Sequence, residues 1–249
     1  RSYSVTGVQT CALPIFNAIE TMGRLSIICS DKTGTLTQNQ MTVQNIYYNN
    51  TLFNVSGLGY QPEGQILLNG APYDAKSDPL FNLMLINGII NNNSEIVKET
   101  VSLKKGSIQV YKVIGMPTEG ALITLAQKAG INIEQERKLY RVFKEFAFSS
   151  ERKRMSKVVK YQDQVFLVSK GAPERLLELS SEIILNEHPL PLTAEVKNDL
   201  LVKLEKIAAQ GLRTLGFSYR LLDDASYDGV KADQRSEERR VGKECRSRW

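Results

Sequence analysis

The chain is poor in residues that staple or anchor a fold. Its 249 residues include three Cys, one Trp and one His. Two of the cysteines, Cys11 and Cys245, and the only tryptophan, Trp249, fall in end segments that read as foreign to the rest, which leaves Cys29 alone. One cysteine makes no intrachain disulfide, so a disulfide-stapled secreted scaffold is excluded and a reducing cytosolic setting fits. In a buried strand such a residue serves as a small apolar filler. No stretch approaches the roughly 20 apolar residues needed to cross a bilayer, so the segment is expected to be soluble. Leu13–Phe16 is too short an apolar run for a signal peptide, and no basic region precedes it. There is no internal repeat and no low-complexity tract. Charge of one sign is also scarce. The formal net charge is +5, but Arg1–Phe16 holds one basic residue and no acid, and Arg235–Trp249 holds six basic residues against three acids. That leaves 25 basic and 24 acidic residues between Asn17 and Gln234, a nearly neutral body. A nucleic-acid partner is not expected, because the basic tail lacks aromatic interleaving and any recognition motif.

What is present is a globular composition: 42% hydrophobic residues, enough for a sizeable core in one large or two modest domains. The two ends stand apart from it. Residues 1–16 and 235–249 resemble translated sequencing-adapter DNA, and the expectation is that both are artefactual and take no part in the fold.

The most informative stretch is Asp31-Lys32-Thr33-Gly34-Thr35-Leu36-Thr37. It follows Leu25-Ser26-Ile27-Ile28-Cys29, a short apolar run suited to a strand covered on both faces of a parallel sheet, and Gly34 lets the chain turn away afterwards. Ligands of open α/β sheets bind beyond the carboxyl ends of strands, which places Asp31 where chemistry is done. An Asp there reads as a nucleophile.

Downstream the pattern changes. Ile46–Tyr48 and Thr51–Val55 flank Asn49-Asn50, residues that tolerate the positive φ of a tight hairpin turn. Residues 57–79 read as irregular, with a short strand over Gln65–Leu68. Helices are predicted over Leu80–Asn91, from Pro117 to before Gly130, over Pro173–Leu179, and from a Thr193 cap to Gly211, the last being the longest. Strands are predicted at Lys144–Phe148, Met155–Tyr161, Gln164–Ser169 and Leu212–Tyr219, the second and third joined around Gln162-Asp163. His188-Pro189 reads as loop.

The Asp31 motif, with Ala18–Gly23 before it and Gln38–Val43 after it, resembles the phosphorylation loop of P-type ATPases, ion pumps that pass through an aspartyl-phosphate. The resemblance extends from Ala18 to about Arg220 and implies an α/β chain. In it an α+β inserted domain, an antiparallel sheet with flanking helices, follows the first strand of a haloacid-dehalogenase-like phosphorylation domain. The implied boundaries are 17–43 for the start of the phosphorylation domain and 44–234 for a nucleotide-binding domain incomplete at its C-terminal end. Asp31, Lys32 and Thr33 are the implied catalytic residues. ATP and Mg²⁺ are the implied cofactors, with Asp31 and the Thr33 carbonyl supplying part of the metal coordination. Phosphatases of the same superfamily usually carry a second Asp where this chain has Thr33, so a pump is favoured over a stand-alone phosphohydrolase; a non-catalytic nucleotide-binding module is the other alternative.

Four further motifs match the family's nucleotide site. Gly115–Leu122 puts Glu119 in a first helical turn, where the dipole favours a carboxylate that can accept from an adenine amino group. In Phe148–Ser156, Phe148 is implied to stack on adenine and Lys153 to lie beside the nucleotide. Lys170–Glu174 supplies the pocket lysine Lys170, with Gly171 and Ala172 leaving room for the purine. Gly211–Leu215 supplies Arg213 for phosphate oxygens. Reticulum calcium pumps carry an Arg where this chain has Ser150, and Arg152 and Arg154 are the candidates to replace it. Asn186-Glu187-His188-Pro189 overlaps only superficially with the signature of copper and zinc pumps.

The family's Thr-Gly-Asp loop, phosphate-contacting Lys, Gly-Asp-Gly-x-Asn-Asp loop, dephosphorylating Thr-Gly-Glu domain and intramembrane ion site are missing. The expectation is therefore that this chain binds ATP weakly without turning it over. The longer parent would be a membrane-embedded, calcium-type cation pump with this part on its cytoplasmic face, and the transported cation and the membrane would engage only the rest of it. An unpaired sheet edge and a poorly held Asn17–Val43 segment are also expected.

Overall fold

A computed structural model describes residues 26–27, 37, 39–103, 106–186 and 188–222. The chain divides into two compact units, 1–39 and 40–249. In the first unit Ser26 lies in a bend and Ile27 has no regular structure and is 76% exposed. The buried strand expected over Leu25–Cys29 is therefore not formed at these two residues. A strand needs ladder partners, and neither residue belongs to a described ladder. Asp31, Lys32 and Thr33, both end segments and the loop after Leu222 lie outside the described residues.

The second unit opens with a hairpin, β1 (Asn45–Tyr48) and β2 (Thr51–Val55), extended by β3 (Ile66–Leu68) and β4 (Ala71–Pro72) into a sheet of order β1-β2-β3-β4. Asn49 and Asn50 adopt φ of 49° and 59°, the left-handed pair that the hairpin requires. Helix α1 (Pro79–Ile90) follows. Asp78 caps it by accepting from Leu80 N at 3.1 Å and Phe81 N at 3.0 Å, and Pro79 takes the first helical position. The same carboxylate accepts from Tyr48 Oη and Tyr73 Oη, both at 2.9 Å, which ties the cap to the first sheet. Burial and the neighbouring Asp78 push the Tyr73 hydroxyl up to about 12.

A long hairpin, β5 (Glu95–Leu103) and β6 (Gly106–Ile114), leads to α2 (Pro117–Lys128) and the short α3 (Ile133–Leu139). Neither the hairpin nor α3 was legible as a regular element. The hairpin has no fully buried residue among those described, and α3 packs only a half-buried Ile133 against the core. The second sheet, of order β12-β9-β8-β7, is antiparallel throughout: β7 (Tyr140–Ser149), β8 (Arg154–Tyr161), β9 (Gln164–Gly171) and β12 (Gly216–Leu222). Gln162, at φ 52°, makes the β8–β9 turn. Between β9 and β12 come α4 (Pro173–Leu179), the hairpin β10 (Glu182–Leu185) and β11 (His188–Pro191), and α5 (Ala194–Ala208). His188 and Pro189 are thus strand residues and not loop. Proline is tolerated there because β11 pairs on one side only among the described residues. Thr193 caps α5, accepting from Val196 N at 3.3 Å. β12 and β7 are the edges of this sheet, each with one ladder partner among the described residues.

Helix α1 is the core of the unit. Phe81 is wholly buried, with its ring 5.2 Å from Phe53 and 4.9 Å from Tyr48 in edge-on contacts. Leu85, Ile86, Ile89 and Ile90 continue the buried cluster to Val159, Phe166 and Val168 of the second sheet. Burying a phenylalanine completely and then deleting it costs the transfer energy plus the cavity. Phe81→Ala should therefore destabilise the chain by about 3–5 kcal/mol, read as a lower urea midpoint with an unchanged slope.

Candidate functional site

The sheet brings the predicted site residues to one end. In the ladder Ser149 pairs with Arg154, Arg154 with Gly171, and Gly171 with Gly216. Phe148, Lys153, Gly171 and Ala172 therefore all stand at the same sheet end, and Arg213 lies three residues before Gly216. Paired residues share a face, so Met155 and Lys170 project to the face that packs α1, and Arg154 and Ser156 to the other. A bulge decides where Phe148 goes. Phe146 pairs with Ser156 and Ser149 with Arg154, so β7 holds one residue more than β8 between these pairs. Phe146 and Ser149 lie on one face in spite of their odd spacing, and Phe148 turns to the face of Met155 and Lys170. Its side chain is 51% exposed and makes no ring or cation–π contact among the described residues. An exposed aromatic with no protein partner is available to a planar ligand.

On that face a buried ion pair is assembled. Glu119, third residue of α2, and Lys170, near the end of β9, are each 7% exposed, and Lys170 Nζ donates to Glu119 Oε1 at 2.6 Å. Glu119 Oε2 accepts from Ser94 Oγ at 2.8 Å and from Asn93 N at 3.1 Å. Ser94 Oγ in turn accepts from Met116 N at 2.9 Å. That contact needs Gly115: at φ 120° a Cβ there would meet Ser94 Oγ at 2.3 Å. Burial pushes the Glu119 carboxyl up, but the Lys170 ammonium, Ser94 and Asn93 together hold it below the usual carboxylate range. Burial also holds Lys170 below the ordinary lysine value, against the pull of Glu119. The two groups are spent largely on each other.

A second group adjoins the first. Buried Lys157 donates from Nζ to Asn93 Oδ1 at 2.6 Å and pairs with Glu145 Oε2 at 3.2 Å, while Asn93 Nδ2 donates to Glu145 Oε1 at 2.6 Å. Ser94, Asn93, Lys157 and Glu145 were not anticipated from the sequence. The available signals were the polar run Asn91–Ser94 directly after an apolar helix and a lysine flanked by strand residues in β8.

Other expectations need revision. The space that a Cβ of Gly171 would fill is taken by the Lys153 carbonyl, at 2.4 Å, and by Arg154, at 2.7 Å. Gly171 thus permits the close approach of β8, and it opens no room for a purine. Ala172 N donates to Lys153 O at 2.9 Å and closes the same corner. Lys153, at φ 52°, and Arg213 are exposed beside it. Neither Arg152 nor Arg154 takes the place of an arginine at Ser150. Arg152 is buried with its guanidinium over the Phe146 ring at 5.6 Å, and Arg154 is buried on the face opposite Lys170. Among the described residues no group of three or more His, Cys, Asp or Glu is placed to hold a metal. The implied magnesium ligands Asp31 and Thr33 lie outside those residues.

Because Glu119 ionises more readily in the folded state, its contribution to stability is present above the unfolded carboxylate value, near pH 4.3, and is lost as pH falls through the lower folded value. Glu119→Gln leaves Lys170 buried without a counter-charge and should cost about 3–5 kcal/mol at neutral pH. Urea melts of both proteins should show that difference shrinking as pH drops below about 4. A difference independent of pH would mean that the carboxylate is not the source.

Comparisons with known proteins identify the family. The family model described as P-type ATPase, cytoplasmic domain N, matches residues 81–244. A calcium-transporting ATPase of Bacillus subtilis (strain 168) is 37% identical over 245 residues, covering 92% of this chain and 27% of the relative. A probable cation-transporting ATPase F of Mycobacterium bovis is 33% identical over 202 residues, covering 80% and 21%, respectively. The potassium-transporting ATPase alpha chain 1 of Xenopus laevis is 31% identical over 227 residues, covering 88% and 21%. The chain spans about a quarter of the length of the curated relatives it matches. Among the described residues no helix is long and apolar enough to cross a membrane. With its helix-and-antiparallel-sheet architecture and a match over most of its length, the chain belongs to the P-type ATPase family, to the part described as cytoplasmic domain N.

Proposed function

We propose that residues 44–222 bind ATP through its adenine ring. The observation that carries this reading is the buried Glu119–Lys170 pair, 2.6 Å apart, on the sheet face to which the half-exposed Phe148 also turns. Phe148 offers a stacking surface, and the locked Glu119 carboxylate accepts hydrogen bonds but donates none, which suits the adenine amino group and opposes the guanine carbonyl. Lys170 orients Glu119. Lys153 and Arg213 flank the same sheet end as exposed cations for the polyphosphate.

In the same reading Asp31 is the phosphoryl acceptor, within the Asp31–Thr33 loop, with Lys32 beside it and Asp31 and Thr33 as partial ligands of Mg²⁺. The longer protein would be a cation-transporting ATPase that passes through an aspartyl-phosphate. Calcium is proposed as its cation from the name of the Bacillus subtilis relative. This chain by itself would bind nucleotide and not turn it over, because the loops that complete the magnesium and phosphate site in the family are not among its residues.

Calorimetric titration of the full chain should give saturable ATP and AMP binding, tighter than GTP. Phe148→Ala should weaken it about tenfold at little cost in stability, since base–aromatic stacking contributes about 1–3 kcal/mol. Binding that ignores this substitution would remove the adenine pocket. Incubation with radiolabelled ATP should leave no acid-stable phosphoenzyme, and label that disappears in Asp31→Asn would overturn the claim of inactivity.

A further inference from the structure

The Glu119 carboxylate is held by the segment between α1 and β5, and that segment is itself held from the sheet. Glu119 Oε2 accepts from Ser94 Oγ at 2.8 Å and from Asn93 N at 3.1 Å, while Glu119 Oε1 accepts from Lys170 Nζ at 2.6 Å. A carboxylate has about four acceptor sites. Both sites of Oε2 are taken, so a ligand is left with the second site of Oε1. The direction of that site follows from how the other donors turn the carboxylate.

The Asn93 N–H is aimed by its own peptide. Asn92 O and Asn93 N belong to one planar trans unit, in which the carbonyl and the N–H point opposite ways. Buried Lys157 grips the carbonyl end. Its Nζ donates to Asn92 O at 3.3 Å and to Asn93 Oδ1 at 2.6 Å, and pairs with Glu145 Oε2 at 3.2 Å, so three acceptors match the three donors of the ammonium. Asn93 Nδ2 donates to Glu145 Oε1 at 2.6 Å and closes the group. The peptide is thus a bridge between two buried charges, with its carbonyl toward the Lys157 cation and its N–H toward the Glu119 anion. Each charge favours the orientation that serves the other. From the far side, Arg137 of α3 donates from Nη2 to Ser94 O at 2.9 Å, and Ser94 N donates to Asn92 Oδ1 at 2.8 Å. An ammonium is costly to bury in a strand whose same-face neighbours, Met155 and Val159, are apolar.

We infer that Lys157 and Asn93 are positioning residues that fix the Asn92–Asn93 peptide, so that Glu119 presents its remaining acceptor to an adenine amino group. They thereby set the preference for ATP over GTP, an assignment that rests on the adenine reading of Glu119. Neither residue needs to touch the base. Lys157 is spent on the segment and on Glu145, and Asn93 on Lys157 and Glu145, so their effect reaches the ligand through Glu119. Without the clamp the carboxylate loses a fixed donor and turns about its last bond, and a turned carboxylate discriminates less between an amino group and a carbonyl.

Two substitutions in the full chain separate this role from a plain loss of stability. Asn93→Ala removes the side-chain clamp without removing a charge, and Lys157→Met removes the grip on the peptide itself. The first readout is a carbon-detected NMR titration of Glu119, which faces Lys170 directly and Lys157, Glu145 and Arg137 through Asn93 and Ser94. A weakened Asn93 N–H contact should move its carboxyl to a higher pKa in both variants. The second readout is nucleotide titration. ATP should bind about fivefold more weakly, the scale of one hydrogen bond, with GTP binding changed less than about twofold. A residue that only stabilises the fold moves neither. An unchanged Glu119 titration in Asn93→Ala, or an ATP preference as large in both variants as in the unsubstituted chain, would overturn the proposal. If Lys157→Met fails to fold, Asn93→Ala decides, since Asn93 stands at the exposed rim. An unsubstituted chain that binds ATP no better than GTP sinks the adenine reading and the specificity with it, whereas a preference that the variants keep sinks the positioning alone.

Discussion

The side-chain amides of α1 hold the unit together. A helix buried on every side could slide or rotate over a sheet, since apolar contacts are not directional. Here Asn87 Nδ2 donates to Ser218 O at 3.0 Å and Ser169 O at 3.3 Å, and Asn91 Nδ2 donates to Met155 O at 2.9 Å, so the helix is pinned to the backbones of three strands. One turn on, Asn92 Nδ2 bridges Gly88 O and Glu119 O, both at 3.0 Å, and fixes the start of α2 against the end of α1. Such bonds are worth about 1 kcal/mol each, but they select one register, which apolar burial alone does not. Asp78 does the corresponding work at the other end, joining the α1 cap to Tyr48 and Tyr73 of the first sheet.

The site inherits its geometry from that clamp. Glu119 reaches Lys170 only because α2 is set against α1 and α1 against β9. The resulting buried pair is an expensive structure. Two charges lose most of their hydration, and the attraction between them offsets that cost only with further hydrogen bonds, which Ser94 and Asn93 supply. A pair of Leu residues would hold α2 to β9 with less risk. What the ion pair adds is a carboxylate fixed as an acceptor on the sheet face to which Phe148 turns.

The sheet also separates two kinds of polar chemistry. The face toward α1 carries Lys157 and Lys170 with their carboxylates, and its cations are neutralised in place. The face toward α4 carries Arg154 and Arg220 over a serine row with no acid among its described lining residues. Alternation along β8 makes this possible: Arg154 and Ser156 point one way, Met155 and Lys157 the other. One strand thus serves two environments without a change in its backbone.

Local rules sufficed for much of the fold. The paired Asn49-Asn50 required a left-handed turn, Pro117 and Pro173 started helices, Thr193 capped another, and the apolar runs around Gln162-Asp163 had the period of adjoining strands, because each of these choices is decided within a few residues. The motif residues Glu119 and Lys170 were legible in the same way, as residue types at family positions. Other features depend on packing between distant segments and had no local signature. The β5–β6 hairpin has no fully buried residue among those described to give it a pattern. Gly171 is required by the backbone of β8, which approaches it across the ladder, and His188-Pro189 becomes a strand only because Glu182–Leu185 lies beside it. The bulge that turns Phe148 toward Lys170 exists only as a mismatch between β7 and β8. The sequence by itself determined which side chains have the chemistry for the proposed nucleotide site. The tertiary structure alone decided that Lys170 is spent on Glu119 and that Arg154 faces away from it, because burial and face are properties of the assembled sheet.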